Sequence, residues 1–159
     1  MRFYTIDKGV KEGLQRVHGA IASFDVALYK LALLVGSSIK RRVIESGEAL
    51  NGATMFYRSP SYIKYRKEGR KKGVTHFPGG RQVSFKDLLL TGRMWRALDA
   101  QLVTTGPSAQ AKIFFGSAEA NAKAFGNEMR ESFFGIGSKE NKIINDEMVR
   151  IKKVITAVF

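Results

Sequence analysis

The tract Tyr57-Arg58-Ser59-Pro60-Ser61-Tyr62-Ile63-Lys64-Tyr65-Arg66-Lys67 carries the clearest binding chemistry in this chain. Three tyrosines alternate with four basic residues, and Arg70, Lys71 and Lys72 follow closely. Cations at this spacing neutralise phosphates, and aromatic faces between them can stack on bases. A second reading competes: Tyr62 and Tyr65 anchor a short helix to the core while the charges stay solvated. Arg93, Trp95 and Arg96 form another candidate, because a lone tryptophan between two arginines has the composition of an interface hot spot. The alternative there is a Trp95 buried in the core. Arg58, Lys64, Arg66, Lys67, Arg70, Lys71, Lys72, Arg93, Trp95 and Arg96 are thus the candidate contacts to a partner or polyanion.

Reaction chemistry is harder to assemble. His18 and His76 stand alone in sequence, without a metal-ligand partner three or four residues on. Gly135-Ile136-Gly137 lacks the third glycine of a dinucleotide fingerprint and the Lys-Ser or Lys-Thr pair of a P-loop. Its plainer reading is a sharp turn before a helix. Asp146 and Glu147 have Lys142 and Arg150 at helical spacing, which describes a solvated face. There is no cysteine, so thiolate metal sites, disulfides and cysteine nucleophiles are excluded. These residues predict no enzyme, no cofactor and no metal.

The 159 residues carry 27 Lys or Arg against 14 Asp or Glu, a net charge of +13. Residues 40–96 hold 14 of the basic and 4 of the acidic ones, a net +10. This middle section is the electrostatic footprint and should attract a polyanion or an acidic protein surface. With 44% apolar residues the chain should fold, and its length suits one domain over residues 1–159. The first residues do not read as a signal peptide. The most apolar stretch, residues 26–35, is about half of the ~20 residues needed to span a bilayer. No membrane association is expected.

The elements that must position the tract can be read from spacing. Val10, Leu14, Val17 and Ile21 recur at helical intervals and predict a helix over residues 8–22. Asp25 is expected to cap a second helix running to Ser46, with Gly47 as its stop. Residues 26–35 are apolar on most faces, which predicts burial on more than one side. Gly36, Ser37 and Ser38 allow close packing or a bend. Asn51-Gly52 marks a turn. Ser59 and Pro60 start a short helix through Tyr62 and Tyr65 that stops at Gly69. Beyond it, Phe77-Pro78-Gly79-Gly80-Arg81 is a turn and Val83-Ser84-Phe85 alternates like a strand. Residues 50–88 read as a long basic arm or loop, a length that is usually functional. Residues 98–105 and 109–117 form a β-hairpin around Gly106-Pro107-Ser108. A helix over residues 118–125 ends before Gly126. Ser138 caps the last helix, with a core stripe of Ile144, Met148, Ile151 and Ile155 and with Val154 beside it. The fold class is α+β: N-terminal helices and a C-terminal helix on a small antiparallel sheet.

Three segments stand in a telling order: Ser59-Pro60-Ser61-Tyr62 followed by basic residues, Leu90-Thr91-Gly92-Arg93-Met94 before the hairpin, and Arg130-Glu131-Ser132-Phe133-Phe134-Gly135 before the last helix. In this order, over roughly residues 25–155, the chain resembles the virion morphogenesis or tail completion proteins of tailed bacteriophages. The resemblance implies an α+β subunit in a homo-oligomeric ring, such as a hexamer, at the head–tail junction of the virion, assembled in the host cytoplasm. It implies protein partners on both sides: a connector or portal-associated protein of the head, and a tail-tube or tail-terminator protein. Contact with packaged DNA is a further implication. A closed ring needs two different patches per subunit, here expected to be the arm (residues 50–88) and the C-terminal helix. The other reading is a non-enzymatic nucleic-acid-binding protein that uses the basic tract of residues 58–72.

Overall fold

A computed structural model describes residues 8–72, 75–88, 92–105 and 108–156. The chain is α+β. The first described element is one helix, α1 (Lys8–Ser46), of 39 residues where two were expected. No proline interrupts it, and the Ser23 hydroxyl donates to the Gly19 carbonyl one turn back. Asp25 therefore lies inside a continuous helix and caps nothing. The stop is as expected. Gly47 takes a left-handed φ of +59°, and its N–H donates to the Val43 carbonyl at 3.0 Å. A Cβ at Gly47 would meet the Phe85 side chain at 2.6 Å, so the position needs glycine for space as well as for backbone angle.

The apolar run of α1 is not buried on several sides. Leu31, Ala32, Val35, Ile39 and Val43 face the core, but Val26, Tyr29, Leu33 and Leu34 are exposed. One turn in from the described side chains, Val17 and Ile21 are exposed too, because the outer half of α1 runs past the core. By length and composition alone, Gln15–Ser46 suffices to cross a membrane.

The inner half of α1 packs on a β-hairpin, β3 (Leu98–Thr105) and β4 (Ser108–Phe115). The strands pair antiparallel, with Leu98 opposite Phe115 and Ala100 opposite Ile113. Ala100 and Phe115 are buried, and Leu98, Leu102 and Ile113 are half-buried. Gly106 and Pro107, the expected turn, lie outside the described residues. Gly36 supplies close packing and no bend, its Cα side lying against Ile113 and Leu98. Just before β3, a single turn α3 (Arg93–Arg96) drives Met94 and Trp95 into the core. Trp95 meets Phe133 edge-on at 5.8 Å and Phe115 at 6.0 Å. Such tilted aromatic pairs each add about 0.5–1.5 kcal/mol beyond their buried area.

The remaining helices close this core. In α4 (Ala118–Glu128), Ser117 caps the first turn and Ala120 and Ala124 are buried. The helix continues through Gly126, contrary to expectation, because that position is open and a glycine there costs only about 1 kcal/mol against alanine. The C-terminal helix α5 spans Ser138–Thr156. Ser138 is its first residue, not its cap. The Glu140 carboxylate instead accepts the Gly137 N–H at 2.9 Å, the reciprocal half of a capping box. Gly135 packs closely on Leu50, and a Cβ there would lie 3.2 Å from that side chain, which would have to shift. The expected stripe on α5 is only partly right. Ile143 and Ile144 pack on Leu31, Val35 and Ile39, whereas Met148 and Val154 are exposed and the Ile155 side chain lies outside the described residues.

Among residues 47–72 and 75–88, a helix and two strands stand where a long arm or loop was expected. The Asn51-Gly52 turn forms as expected, with the Asn51 side chain accepting the Ala53 N–H. Helix α2 (Pro60–Glu68) has Ser59 as N-cap and Gly69 as C-cap. It runs directly into a second pair of strands, β1 (Gly69–Lys72) and β2 (Thr75–Pro78), so Phe77 and Pro78, expected in a turn, belong to a strand. The two strands pair antiparallel, with Arg70 opposite Phe77, Lys71 opposite His76 and Lys72 opposite Thr75. The segment Val83-Ser84-Phe85 forms no strand.

Candidate functional site

Helix α2 presents the expected basic residues on one side and fastens the other to the core. Lys64 and Lys67 are exposed, with Lys64 pairing loosely with Glu68 at 3.9 Å one turn on. Arg58, just ahead of the cap, is 87% exposed at its side chain and reaches Glu131 at 3.5 Å. Arg93 and Arg96 are exposed at the ends of α3. The side chains of Arg70, Lys71 and Lys72 lie outside the described residues.

Two of the ten candidates are not surface groups. Trp95 is 2% exposed and is a core residue. Arg66 is 1% exposed. Its guanidinium donates to Asp87 at 2.8 Å and to the Gln82 carbonyl at 3.1 Å, and it lies over the Tyr57 ring at 4.7 Å. The Tyr57 hydroxyl donates to the other Asp87 oxygen at 2.7 Å. Burial first, then the hydrogen bond to Asp87 and its charge, hold the Tyr57 phenol well above its ordinary range. Tyr57, Arg66 and Asp87 are a buried polar lock that ties α2 to residues 82–87. Helical spacing makes this legible afterwards: Arg66 falls one turn beyond Tyr62 on the inward face of α2.

The tyrosines are packing groups. Tyr57 and Tyr62 lie with ring centres 5.3 Å apart, and Tyr62 and Tyr65 are 5.9 Å apart. All three are half-buried. They form a ladder of tilted rings that starts just before α2 and continues along it.

Sequence reading missed a groove beside this ladder. It has a volume of about 710 Å³ and runs between Phe56, Lys86 and helix α4. Phe56 is 58% exposed. Lys123, Asn127 and Arg130 line one wall from α4 and its end, and Lys86 and Arg58 line the other. The spacing of 123, 127 and 130 on a helix was available in the sequence, but nothing there placed that face opposite Phe56. No group of three or more histidine, cysteine, aspartate or glutamate residues that could hold a metal occurs among the described residues.

No protein-family model, curated protein or solved structure matches this chain.

Proposed function

We propose that this chain is a structural virion protein of the head–tail junction of a tailed bacteriophage, acting without catalysis as one subunit of a ring that completes the tail or joins it to the filled head. What supports the reading is how the three resembling segments are used. The Arg93-Met94 segment leads Trp95 onto Phe133 of the Arg130–Gly135 segment, and Glu131 of that segment pairs with Arg58 just before Ser59-Pro60-Ser61-Tyr62. These contacts join the described parts of the three segments to one another. The test is electron microscopy of particles from a phage encoding this chain after its reading frame is interrupted. Filled heads beside separate, otherwise normal tails are expected; intact infectious virions would overturn the proposal.

The net charge of +13, with Arg58, Lys64 and Lys67 exposed together, favours nucleic-acid binding as the second reading. A DNA-binding protein should lose affinity by orders of magnitude between about 50 and 200 mM salt, in proportion to its phosphate contacts. Salt-insensitive or absent binding to duplex and single-stranded DNA would remove this reading.

A further inference from the structure

We infer that the groove between Phe56 and helix α4 is a docking site for an acidic peptide segment of another protein, anchored by one aromatic or large aliphatic side chain. The inference stands apart from the virion reading and does not depend on it.

The groove combines two features that call for complementary ones. Part of its lining is apolar: buried Met94, half-buried Leu88 and exposed Phe56. Phe56 is 58% exposed in this lining, so its ring is accessible to a partner's apolar side chain. A volume of about 710 Å³ is in the range of sites that bury whole ligand groups. Its rim is cationic: Arg58, Lys86, Lys123 and Arg130 face a single lining carboxylate, Glu131. Glu131 is shared between Lys86 at 3.1 Å and Arg58 at 3.5 Å, so one negative charge serves two cations. Lys123 pairs with Glu119 on an exposed helix face, a contact that solvent weakens. The groove therefore keeps an excess of positive charge around this apolar lining. An acidic strand with an apolar anchor matches both.

A second copy of this chain is a poor occupant, since it brings its own net charge of +13. Nucleic acid is also less well matched. Tyr57 and Tyr62 are engaged with each other, which leaves Phe56 as the exposed aromatic among the described lining residues. One exposed ring beside Met94 and Leu88 suits a single apolar side chain better than a run of bases.

The test is selection from a displayed library of random peptides on the immobilised full chain, followed by fluorescence anisotropy of the enriched sequences. The expected result is enrichment of peptides in which Asp or Glu flank a Phe, Trp, Leu or Ile. Phe56→Ala and Arg130→Glu should each weaken these peptides about tenfold or more, the loss typical of an anchor contact. Lys64→Glu, outside the groove, should leave them unchanged. Folding of each variant is checked by the buried emission of Trp95. Failure to enrich acidic apolar peptides would overturn the inference, as would peptides that bind Phe56→Ala and Arg130→Glu like the unmodified chain. A mixed-sequence oligonucleotide that competes for the groove and is weakened by Arg130→Glu but not by Phe56→Ala would also overturn it, assigning the rim to nucleic acid.

Discussion

Arg42 and Glu140 are 98 residues apart in sequence and 3.3 Å apart in space, with side chains 3% and 0% exposed. The Arg42 guanidinium also donates to the carbonyls of Glu48 at 2.9 Å and Phe133 at 3.1 Å. Glu140 accepts the Ser38 hydroxyl and the Gly137 N–H, both at 2.9 Å. The end of α1, the turn after it, the Phe133 segment and the start of α5 are thus joined through one ion pair. Each partner's charge is compensated only while the other is present.

Removing one partner should therefore be costly. Glu140→Ala is expected to destabilise by about 3–5 kcal/mol, because it strands a buried guanidinium. Arg42→Met combined with Glu140→Leu should recover part of that loss, since an apolar pair leaves no buried charge. Chemical denaturation followed by Trp95 emission measures both. A loss under about 1 kcal/mol for Glu140→Ala, the level of an exposed ion pair, would contradict the assignment.

The same site makes stability depend on acid. Burial by itself raises the Glu140 carboxyl, but the Ser38 hydroxyl, the Gly137 amide and the Arg42 charge outweigh it and hold the group below its ordinary value of 4.5. A carboxyl lowered in the folded state contributes fully above its unfolded pKa and loses that contribution as pH falls through the folded one. Stability should thus decline below about pH 4.5. Glu140→Gln, though less stable at neutral pH, should show a shallower decline. Parallel acid profiles for the two proteins would show that Glu140 is not the group responsible.

Asp87→Ala should cost about 3–5 kcal/mol by leaving Arg66 buried and unpaired. Tyr57→Phe should cost about 1.5–3 kcal/mol, the range for a hydrogen bond to a charged group. In a double-mutant cycle the two changes should be strongly non-additive, because they share Asp87. Simple additivity would mean that the three side chains do not act as one unit. An Arg66 substitution is correspondingly a stability variant, and reduced binding in it says nothing about a contact.

Surface cations should behave in the opposite way. Arg58→Glu, Lys64→Glu and Lys67→Glu are each expected to change stability by no more than about 0.5 kcal/mol. If the basic tract meets duplex DNA, each phosphate contact removed lowers the slope of log affinity against log salt by about 0.9. Anisotropy titrations at several salt concentrations give that slope. An unchanged slope in the triple variant would exclude these three positions as phosphate contacts.

Gly47→Ala should destabilise by about 2–4 kcal/mol, combining left-handed backbone strain with overpacking against Phe85. Phe85→Ala should relieve the overpacking and leave the strain, so the double variant should be less impaired than the sum of the two single changes. Thermal melts of the three variants test this. An additive result would mean that Phe85 does not limit the space at Gly47.

Much of the fold was legible because local rules and tertiary packing agree. Ser59-Pro60 at the start of α2, Gly69 at its end, Gly47 after α1 and the alternation in β3 and β4 are all set by short-range geometry. The misreadings at Asp25 and Gly126 occur where propagation of a helix overrides a single-residue signal. Asp25 looks like a cap but lies within one continuous helix, Lys8–Ser46, with no proline to interrupt it. Gly126 looks like a stop, yet the helix passes through it to Glu128. The candidate surface was only half legible. A basic residue in a basic tract looks the same in sequence whether it faces solvent, as Lys64 does, or a buried carboxylate 21 residues away, as Arg66 does. The groove was not legible, because Phe56 and Lys123 meet only through the packing of distant segments.

Helix α1 has a mechanical consequence. Its 39 residues, at 1.5 Å each, make a rod of about 58 Å. Ser38 and Arg42 clamp it near one end, and α5 braces it as far out as Phe24, which faces Met148 and Ile151. No hinge divides the clamped part from the part beyond. A load applied near Val17 is therefore carried along an unbroken hydrogen-bond ladder to Glu140, and the core is the pivot of a lever whose long arm lies outside it.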